Sequence, residues 1–468
     1  MNPRTTLAII AGKAAGAASR RLGRGGGTAI AGVVALRIDP ALVRRLAPQA
    51  GRGVVAITGT NGKTTTSLML SHIADDAGAR PLHNRSGSNM MRGIAATLAA
   101  EASVAGALED ARERLLILEI DEATLPEMAR ETKPSVVVFT NLFRDQLDRY
   151  GEVDTVARAW ERALGELQAA PPTIVLNADD PAVAHLGREY AGRVVYYGID
   201  DPGAAGDATE HASDYRTCLV CGGELTYTVT FYGHLGHWRC PSCGSHRPHP
   251  DVRAVEIESR GGGDTVAMRI DAPSLSLEVV LPMAGLYNTY NALSAAAAAV
   301  ALGLPGAAVE SALEGFSAAF GRQERFAIDG RDVHVLLGKN PAGLNQVLRT
   351  LAAQAGRKRL VFILNDGLAD GRDISWIWDT DYELLQPQTD WPLAAGVRAE
   401  DMALRMKYAG YGDDVPVVRD VPAALRLALD EAPAGGTLFV IPTYTAMLEA
   451  REWLAKRAGQ AHFWEEGA

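Results

Sequence analysis

The chain has 468 residues, of which 47% are hydrophobic and 22% charged, and carries a formal net charge of −10. That length suits two or three domains with sizeable cores, and the composition is that of an ordinary globular protein. The acidic balance argues against nucleic-acid binding, which needs a basic surface. No apolar run approaches the roughly 18 residues that mark a membrane span.

The first stretch, residues 1–50, is read as a short N-terminal segment. Its apolar runs are broken by Gly, Lys and Arg, unlike a secretory signal, so the chain is expected to be cytoplasmic. Arg20-Arg21-Leu22-Gly23-Arg24 reads as a solvated helix end followed by a glycine turn. β-Branched runs then alternate with Ala- and Leu-rich stretches. Strands are expected at Val54–Thr58, Leu115–Ile120, Val136–Thr140, Thr173–Leu176 and Val194–Tyr197, with helices at Thr64–Ala77 and Val153–Leu167 between them. Nearly continuous apolar strands separated by helices predict an α/β fold with a parallel sheet covered on both faces. The pattern breaks near residue 200. A cysteine-bearing insert follows at about 215–250, then alternating segments at Val252–Ser259, Thr265–Ile270 and Leu275–Leu281 that read as antiparallel strands. An alanine-rich helix is expected from about Asn288 to Leu302. A second α/β series, with strands Val333–Leu337, Leu360–Leu364 and Leu438–Ile441, places a boundary near 322–330. The domains are therefore expected at 51–321 and 322–468.

The strand Val54–Thr58 runs into Gly59-Thr60-Asn61-Gly62-Lys63-Thr64-Thr65-Thr66 and then a helix, the context of a phosphate-binding loop. Glycines let backbone N–H groups approach phosphate oxygens, and the helix N-terminus adds a partial positive charge. Lys63 supplies a point charge and Thr64 a magnesium ligand. The full Walker pattern would have glycine where this chain has Ile57.

Cys218-x-x-Cys221 and Cys240-x-x-Cys243 fit a four-cysteine zinc ribbon, two knuckles joined by a hairpin strand near Thr226–Phe231. With four protein ligands the zinc would be structural. His234, His237, His246 and His249 are read as surface residues. All four cysteines being used in this way, none remains to act as a nucleophile.

The loop Gly59–Thr66 resembles the ATP loop of the Mur ligases and folylpolyglutamate synthases, which phosphorylate a carboxylate and let an amine attack the acyl phosphate. Further motifs follow in the family's order. Glu119 resembles its magnesium-binding glutamate. Thr140-Asn141-Leu142 with Asp145-Gln146-Leu147-Asp148 resembles its Thr-Asn and Asp-His-Leu-Asp segments, and Asn177-Ala178-Asp179-Asp180 its Asn-x-Asp-Asp turn. Asn288 and Asn291 match the asparagines near the adenine. Gly321-Arg322 with Glu324 resembles the domain junction, and Lys339-Asn340-Pro341 the start of the C-terminal domain. The resemblance implies ATP and Mg2+ as cofactors. Two departures stand out: Gln146 replaces a metal-binding histidine, and Glu161 falls where many relatives carry a carbamylated lysine, so that it reads either as the metal-side anion or as an ordinary exposed helix glutamate.

The short N-terminus, the cysteine insert and the segment Asp366…Trp378 narrow the resemblance to the MurT-type subunits of lipid II isoglutaminyl synthase. This implies a Rossmann-like C-terminal domain, a heterodimer with a GatD-type glutamine amidotransferase, and amidation of D-glutamate in lipid II at the membrane surface, part of peptidoglycan synthesis. In that family an aspartate of the C-terminal domain completes the partner's Cys-His pair; Asp366 is the first choice and Asp370 the second. Trp376 and Trp378 are read as core or partner-interface. The alternatives are a stand-alone amino-acid ligase of the Mur or folylpolyglutamate type and a non-catalytic ATP-binding scaffold with a zinc ribbon.

Overall fold

The structure, a computed structural model, describes residues 2–21, 28–84, 88–145, 153–167, 169–205, 214–261, 264–273, 275–316 and 322–459, without the side chains of Thr28, Arg322 and Gln323. Gln146, Leu147, Asp148 and Gly321 lie outside the described residues, as does the whole of Leu22–Arg24.

The larger sheet has nine strands. In chain order they are β1 (Val54–Thr58), β2 (Arg80–His83), β3 (Arg114–Glu119), β4 (Val136–Phe139), β5 (Thr173–Asn177), β6 (Val194–Ile199) and, beyond the hairpin of β7 (Thr226–Tyr232) and β8 (Leu235–Arg239), β9 (Val252–Arg260), β10 (Thr265–Ala272) and β11 (Leu275–Leu281). Their spatial order is β11-β10-β9-β6-β5-β4-β1-β3-β2. The pairs from β2 to β9 are parallel, and β10 and β11 add an antiparallel edge. Burial on both faces explains the unbroken apolar strands: Val55 and Ile57 join one core, Val54 and Ala56 the other. The alanine-rich helix Leu286–Leu302 lies against the sheet with Ala295 to Ala299 fully buried, because small side chains let it approach closely.

The smaller sheet follows the order β12-β13-β17-β14-β15-β16, from β12 (Arg322–Ile328), β13 (Arg331–Leu336), β14 (Lys358–Ile363), β15 (Thr389–Ala395), β16 (Val417–Val418) and β17 (Thr437–Pro442). Only β12 runs antiparallel, paired to β13 across Asp329-Gly330, whose φ values of 50° and 72° suit a tight hairpin turn. The other pairs are parallel.

The expected strands are found. Five more were not predicted: β2, β8, β12, β15 and β16. β2 and β16 are sheet edges, β15 carries Pro392, and β12 opens on the polar run Arg322-Gln323-Glu324-Arg325. The N-terminal segment is more ordered than the sequence suggested. Helices Pro3–Arg21 and Thr28–Ile38 pack with the helix Met91–Glu101, burying Ala8, Ile9 and Ala35 in the same core as β1. The approach is close enough that a Cβ on Gly32 would sit 1.6 Å from the Arg92 carbonyl oxygen.

Candidate functional site

β1 lies between β3 and β4, and the chain leaves it towards β2 on one side before returning to β4 on the other. The loop at its carboxyl end is thus a topological switch point, where ligands bind in open parallel sheets. Gly62 caps the helix Lys63–Asp76 with φ 87°, and a Cβ there would stand 2.1 Å from Asn291 Oδ1. Only glycine permits both the left-handed turn and that neighbour.

Lys63 is buried. Its ammonium donates to the carbonyls of Gly59 and Thr60 and lies 2.9 Å from Glu122 Oε1. Burial alone would push the Lys63 pKa down; the charge and hydrogen bond of Glu122, with Glu119 and Asp121 behind it, hold it above the ordinary lysine value. The next side chain, Thr64, donates from Oγ1 to Glu119 Oε2 at 2.8 Å. Glu119 is fixed by Asn84, which accepts from its N–H at 2.7 Å and donates to its carbonyl at 2.8 Å. A hydroxyl and a carboxylate side by side at a helix N-terminus form a hard-oxygen set of the kind that magnesium takes. Sequence reasoning missed Glu122 and Asn84. An acid three residues beyond Glu119, just past a strand end, was the available signal for Glu122.

Thr60 and Asn61 are tied to the loop after β4. Thr60 Oγ1 accepts from Phe143 N at 2.9 Å and donates to its carbonyl at 3.1 Å. Asn61 N donates to Asn141 Oδ1 at 2.9 Å, and Thr140 Oγ1 to Asn61 O at 2.7 Å. Asn288 and Asn291, hydrogen-bonded to each other at 3.2 Å, line a cavity open to solvent together with Asn61, Gly62 and Thr65. The far wall comes from the second sheet's side and includes Lys339 and Gly343, and Tyr232 reaches it from the cysteine-bearing hairpin. Asn340 Nδ2 donates to Asn61 Oδ1 at 3.0 Å, and Lys339 Nζ lies 2.6 Å from Asp145 Oδ2. The cavity therefore brings Asn61, Asn141, Asn288, Asn291 and Lys339 around one space, while Glu119 and the Asn177–Asp180 turn lie outside its lining.

Glu161 is not brought there. Successive helical residues point about 100° apart, and on the helix Val153–Glu166 it is Trp160 that faces inward, donating from Nε1 to the Glu122 carbonyl at 3.1 Å. Glu161 turns outward, half-exposed, 3.8 Å from His185 Nε2. The expectation that Glu161 supplies a metal-side anion is corrected accordingly. Arg322 is described only through its backbone, which pairs with Leu336. Glu324 binds the buried Arg451 at 2.9 Å.

The four cysteines form one cluster, with their Sγ atoms all within 4.8 Å of one another. Cys218–Cys243 are 3.6 Å apart and Cys221–Cys240 3.5 Å. Disulfide sulfurs would lie about 2.05 Å apart, whereas thiolates around a tetrahedral zinc stand about 3.8 Å apart for bonds of about 2.3 Å. The residues fit such an ion. The Cys243 backbone N–H helps pull the Cys240 thiol down, whereas Cys221, despite the Gly223 backbone N–H, is pushed up by its thiol neighbours.

Two of the neighbouring histidines overturn the surface reading. His234, at the hairpin turn, is fully buried between Phe143 and Tyr215, with Nε2 3.4 Å from Asp180 Oδ2. His237 is partly buried and sits 2.8 Å from the Ile199 carbonyl. The hairpin folds back onto the phosphate-loop side of the sheet, which the local sequence does not announce. His246 and His249 are exposed.

In the second sheet the loop after β14 holds both candidate aspartates. Asp370 is buried, with Oδ1 accepting from Thr445 N at 2.8 Å and Oδ2 from Thr445 Oγ1 and Gly367 N. Burial pushes its carboxyl above the usual range. Asp366 is more open and pairs with Arg398 Nη1 at 3.2 Å. Asp370 thus ties the loop to the helix Tyr444–Ala458, whereas Asp366 is partly exposed.

A family model of the Mur ligase middle domain matches residues 57–238, and one of the MurT ligase C-terminal region matches 337–447. The lipid II isoglutaminyl synthase (glutamine-hydrolyzing) subunit MurT of Streptococcus pneumoniae is 34% identical over 98% of both chains. The subunit of the same name from Staphylococcus aureus is 33% identical over 96% of this chain and 98% of its own. The chain belongs to the MurT family. As a MurT-family member it is a ligase with the Mur ligase α/β fold. A pseudomurein peptide ligase type C from Methanothermus fervidus superposes with TM-score 0.65 and 25% identity, covering 86% of this chain and 78% of that one. MurF from Acinetobacter baumannii superposes with TM-score 0.63 at 20% identity, covering 90% and 80%, a likeness of fold.

Proposed function

We infer that this MurT-family chain is the synthetase subunit of a lipid II isoglutaminyl synthase. It amidates the α-carboxylate of D-glutamate in the lipid II stem peptide through an acyl phosphate, using ammonia from a GatD-type glutaminase. The observation that carries this reading is the full-length similarity to MurT subunits, joined to a phosphate loop whose Lys63, Thr64 and Glu119 meet at one point.

Residues 51–321 would bind the nucleotide and 322–468 would close over it and dock the partner. Gly59 to Thr65 surround the phosphates, and Asn288 and Asn291 face the base side of the cavity. Thr64 and Glu119 would hold Mg2+, which when bound neutralises charge on the phosphates. Lys63 places its ammonium where negative charge develops as the carboxylate oxygen takes the γ-phosphoryl group from ATP and ADP leaves. Ammonia then attacks the acyl carbon and phosphate departs, leaving the amide. Asn340 and Lys339, brought against Asn61 and Asp145, exclude water that would otherwise hydrolyse the acyl phosphate. Asp366 would orient the partner's histidine. Cys218, Cys221, Cys240 and Cys243 would hold a structural zinc, outside the reaction. No helix among the described residues is long and apolar enough to cross a membrane; a place at the cytoplasmic face, where lipid II presents its stem peptide, suits this reading.

The test is amidation of lipid II by the purified chain with ATP, with and without a candidate glutaminase. Product with high ammonia alone, and with glutamine only when the glutaminase is present, is expected. A folded chain that fails with both nitrogen donors overturns the reading, and full activity with an amino acid instead of ammonia favours a stand-alone ligase.

A further inference from the structure

The cysteine-bearing hairpin reaches the nucleotide cavity, and that contact is unexplained by a purely local stabilising role for the cluster. β8 leads from the hairpin turn straight into Cys240, so the turn and the cysteines belong to one small rigid unit. That unit is bolted to the larger sheet. Gly236 N donates to Asp179 O at 2.9 Å, Trp238 Nε1 to Ala178 O at 3.0 Å, and Arg247 pairs with Asp179 and Asp200.

At its tip, Tyr232 lines the cavity beside Asn61 and Asn291 and stacks on Phe143, ring centroids 5.9 Å apart and planes 17° apart. His234 also packs on Phe143, with centroids 4.4 Å apart and planes 46° apart. Its two ring nitrogens are buried with no hydrogen-bond partner, an arrangement that packing alone does not favour. Asp180, 3.4 Å from His234 Nε2, accepts from Leu142 N at 2.8 Å. The segment Asn141–Phe143 is therefore gripped by the hairpin on one face. On its other face it holds Thr60 and Asn61 through the hydrogen bonds already described.

We propose that the hairpin tip positions the phosphate loop: Tyr232 and His234 fix the segment Asn141–Phe143, which sets Thr60 and Asn61, so nucleotide affinity depends on the assembled cysteine cluster. The two are positioning residues for a site whose nucleotide-binding role rests on the function proposed above. The dependence is reciprocal, since whatever tightens nucleotide binding through the cluster must tighten the cluster when nucleotide binds.

The experiment uses the full chain and reads nucleotide binding directly, with a fluorescent ADP analogue and Mg2+, alongside ATP KM, kcat and thermal unfolding. Tyr232→Ala and His234→Ala should each weaken nucleotide binding and raise ATP KM by roughly tenfold, with kcat changed much less. Tyr232→Phe, which keeps the ring, should recover most of the affinity that Tyr232→Ala loses. Chelator-treated protein should lose affinity to a similar degree and regain it on adding zinc alone. Lys63→Ala serves as the reference: if it too binds nucleotide like the parent, the assignment of this loop is at fault. If Lys63→Ala loses binding while both alanine variants keep the parent's affinity, the proposal fails. Chelator-stripped protein that keeps its unfolding transition and its full nucleotide affinity fails it as well. Should chelation unfold the chain, the two alanine variants decide.

Discussion

At the end of β1 a loop is closed in on all sides, whereas at the end of β14 a loop of the same kind stands half open. Lys63, Thr64, Glu119 and Glu122 are all buried, Lys63 paired with Glu122 and Thr64 donating to Glu119 within a single enclosed cluster. Around Asp366 the neighbours include Leu368, 81% exposed, while elsewhere in this half of the chain Trp378 is 48% and Tyr408 69% exposed, the last two rings 5.7 Å apart. Exposed large apolar groups of this sort are common at surfaces that another protein covers. A strand-end loop in a parallel sheet is thus a general platform. Enclosure suits it to a small charged ligand, and openness suits it to completion by a second polypeptide.

The contrast can be broken most forcefully at Lys63. Lys63→Ala is expected to lower ATP-dependent amidation by at least roughly a hundredfold. It also leaves the buried Glu122 without its cation, so thermal stability should fall too. The double variant Lys63→Ala/Glu122→Gln should recover stability without activity, as read by calorimetry and amidation side by side; recovery of both would mean Lys63 serves only to balance charge. Next in size, Cys221→Ser should lower bound zinc and the unfolding temperature together, measured by metal analysis and calorimetry. Asp366→Asn probes the open loop. Glutamine-dependent amidation should drop about ten- to a hundredfold while ammonia-dependent amidation falls far less, and equal losses would remove Asp366 from the partner's service. Lys339→Met should raise ATP KM a few-fold by releasing Asp145, seen in steady-state kinetics. Smallest of all for the isolated chain is Trp378→Ala, within about 0.5 kcal/mol in stability as for other exposed positions. Its effect should emerge only as weaker binding to the glutaminase in titration.

The enclosed site was far more legible in the amino-acid sequence than the open one. Buried parallel strands write themselves as continuous apolar runs, and Gly59 to Thr64 combine glycines, a cation and hydroxyls in one short stretch, so both are local signals. Glu122 was passed over because its role depends on a lysine fifty-nine residues away in the chain. His234 looked like a surface residue because nothing near it in the sequence is its wall; Phe143 and Tyr215 arrive from elsewhere in the fold. Glu161 failed for the opposite reason, since spacing along the chain suggested a role that the helix phase denies. The edge strands β2 and β16 escaped because they pair on one side only and have less apolar pattern to show. The Asp329-Gly330 turn was readable in principle, an Asp-Gly pair between alternating segments.

The joint between the two sheets is held, where Asn340 meets Asn61, by amide hydrogen bonds, and nearby by Lys339–Asp145 and by Arg144 3.7 Å from Asp379. Neutral hydrogen bonds of this kind contribute about 1 kcal/mol each, a modest barrier to parting. The same seam carries Arg325 paired with Asp264 at 3.1 Å and Ala342 packed into the larger core. Under the function proposed above, its parting would be the route by which spent ADP leaves.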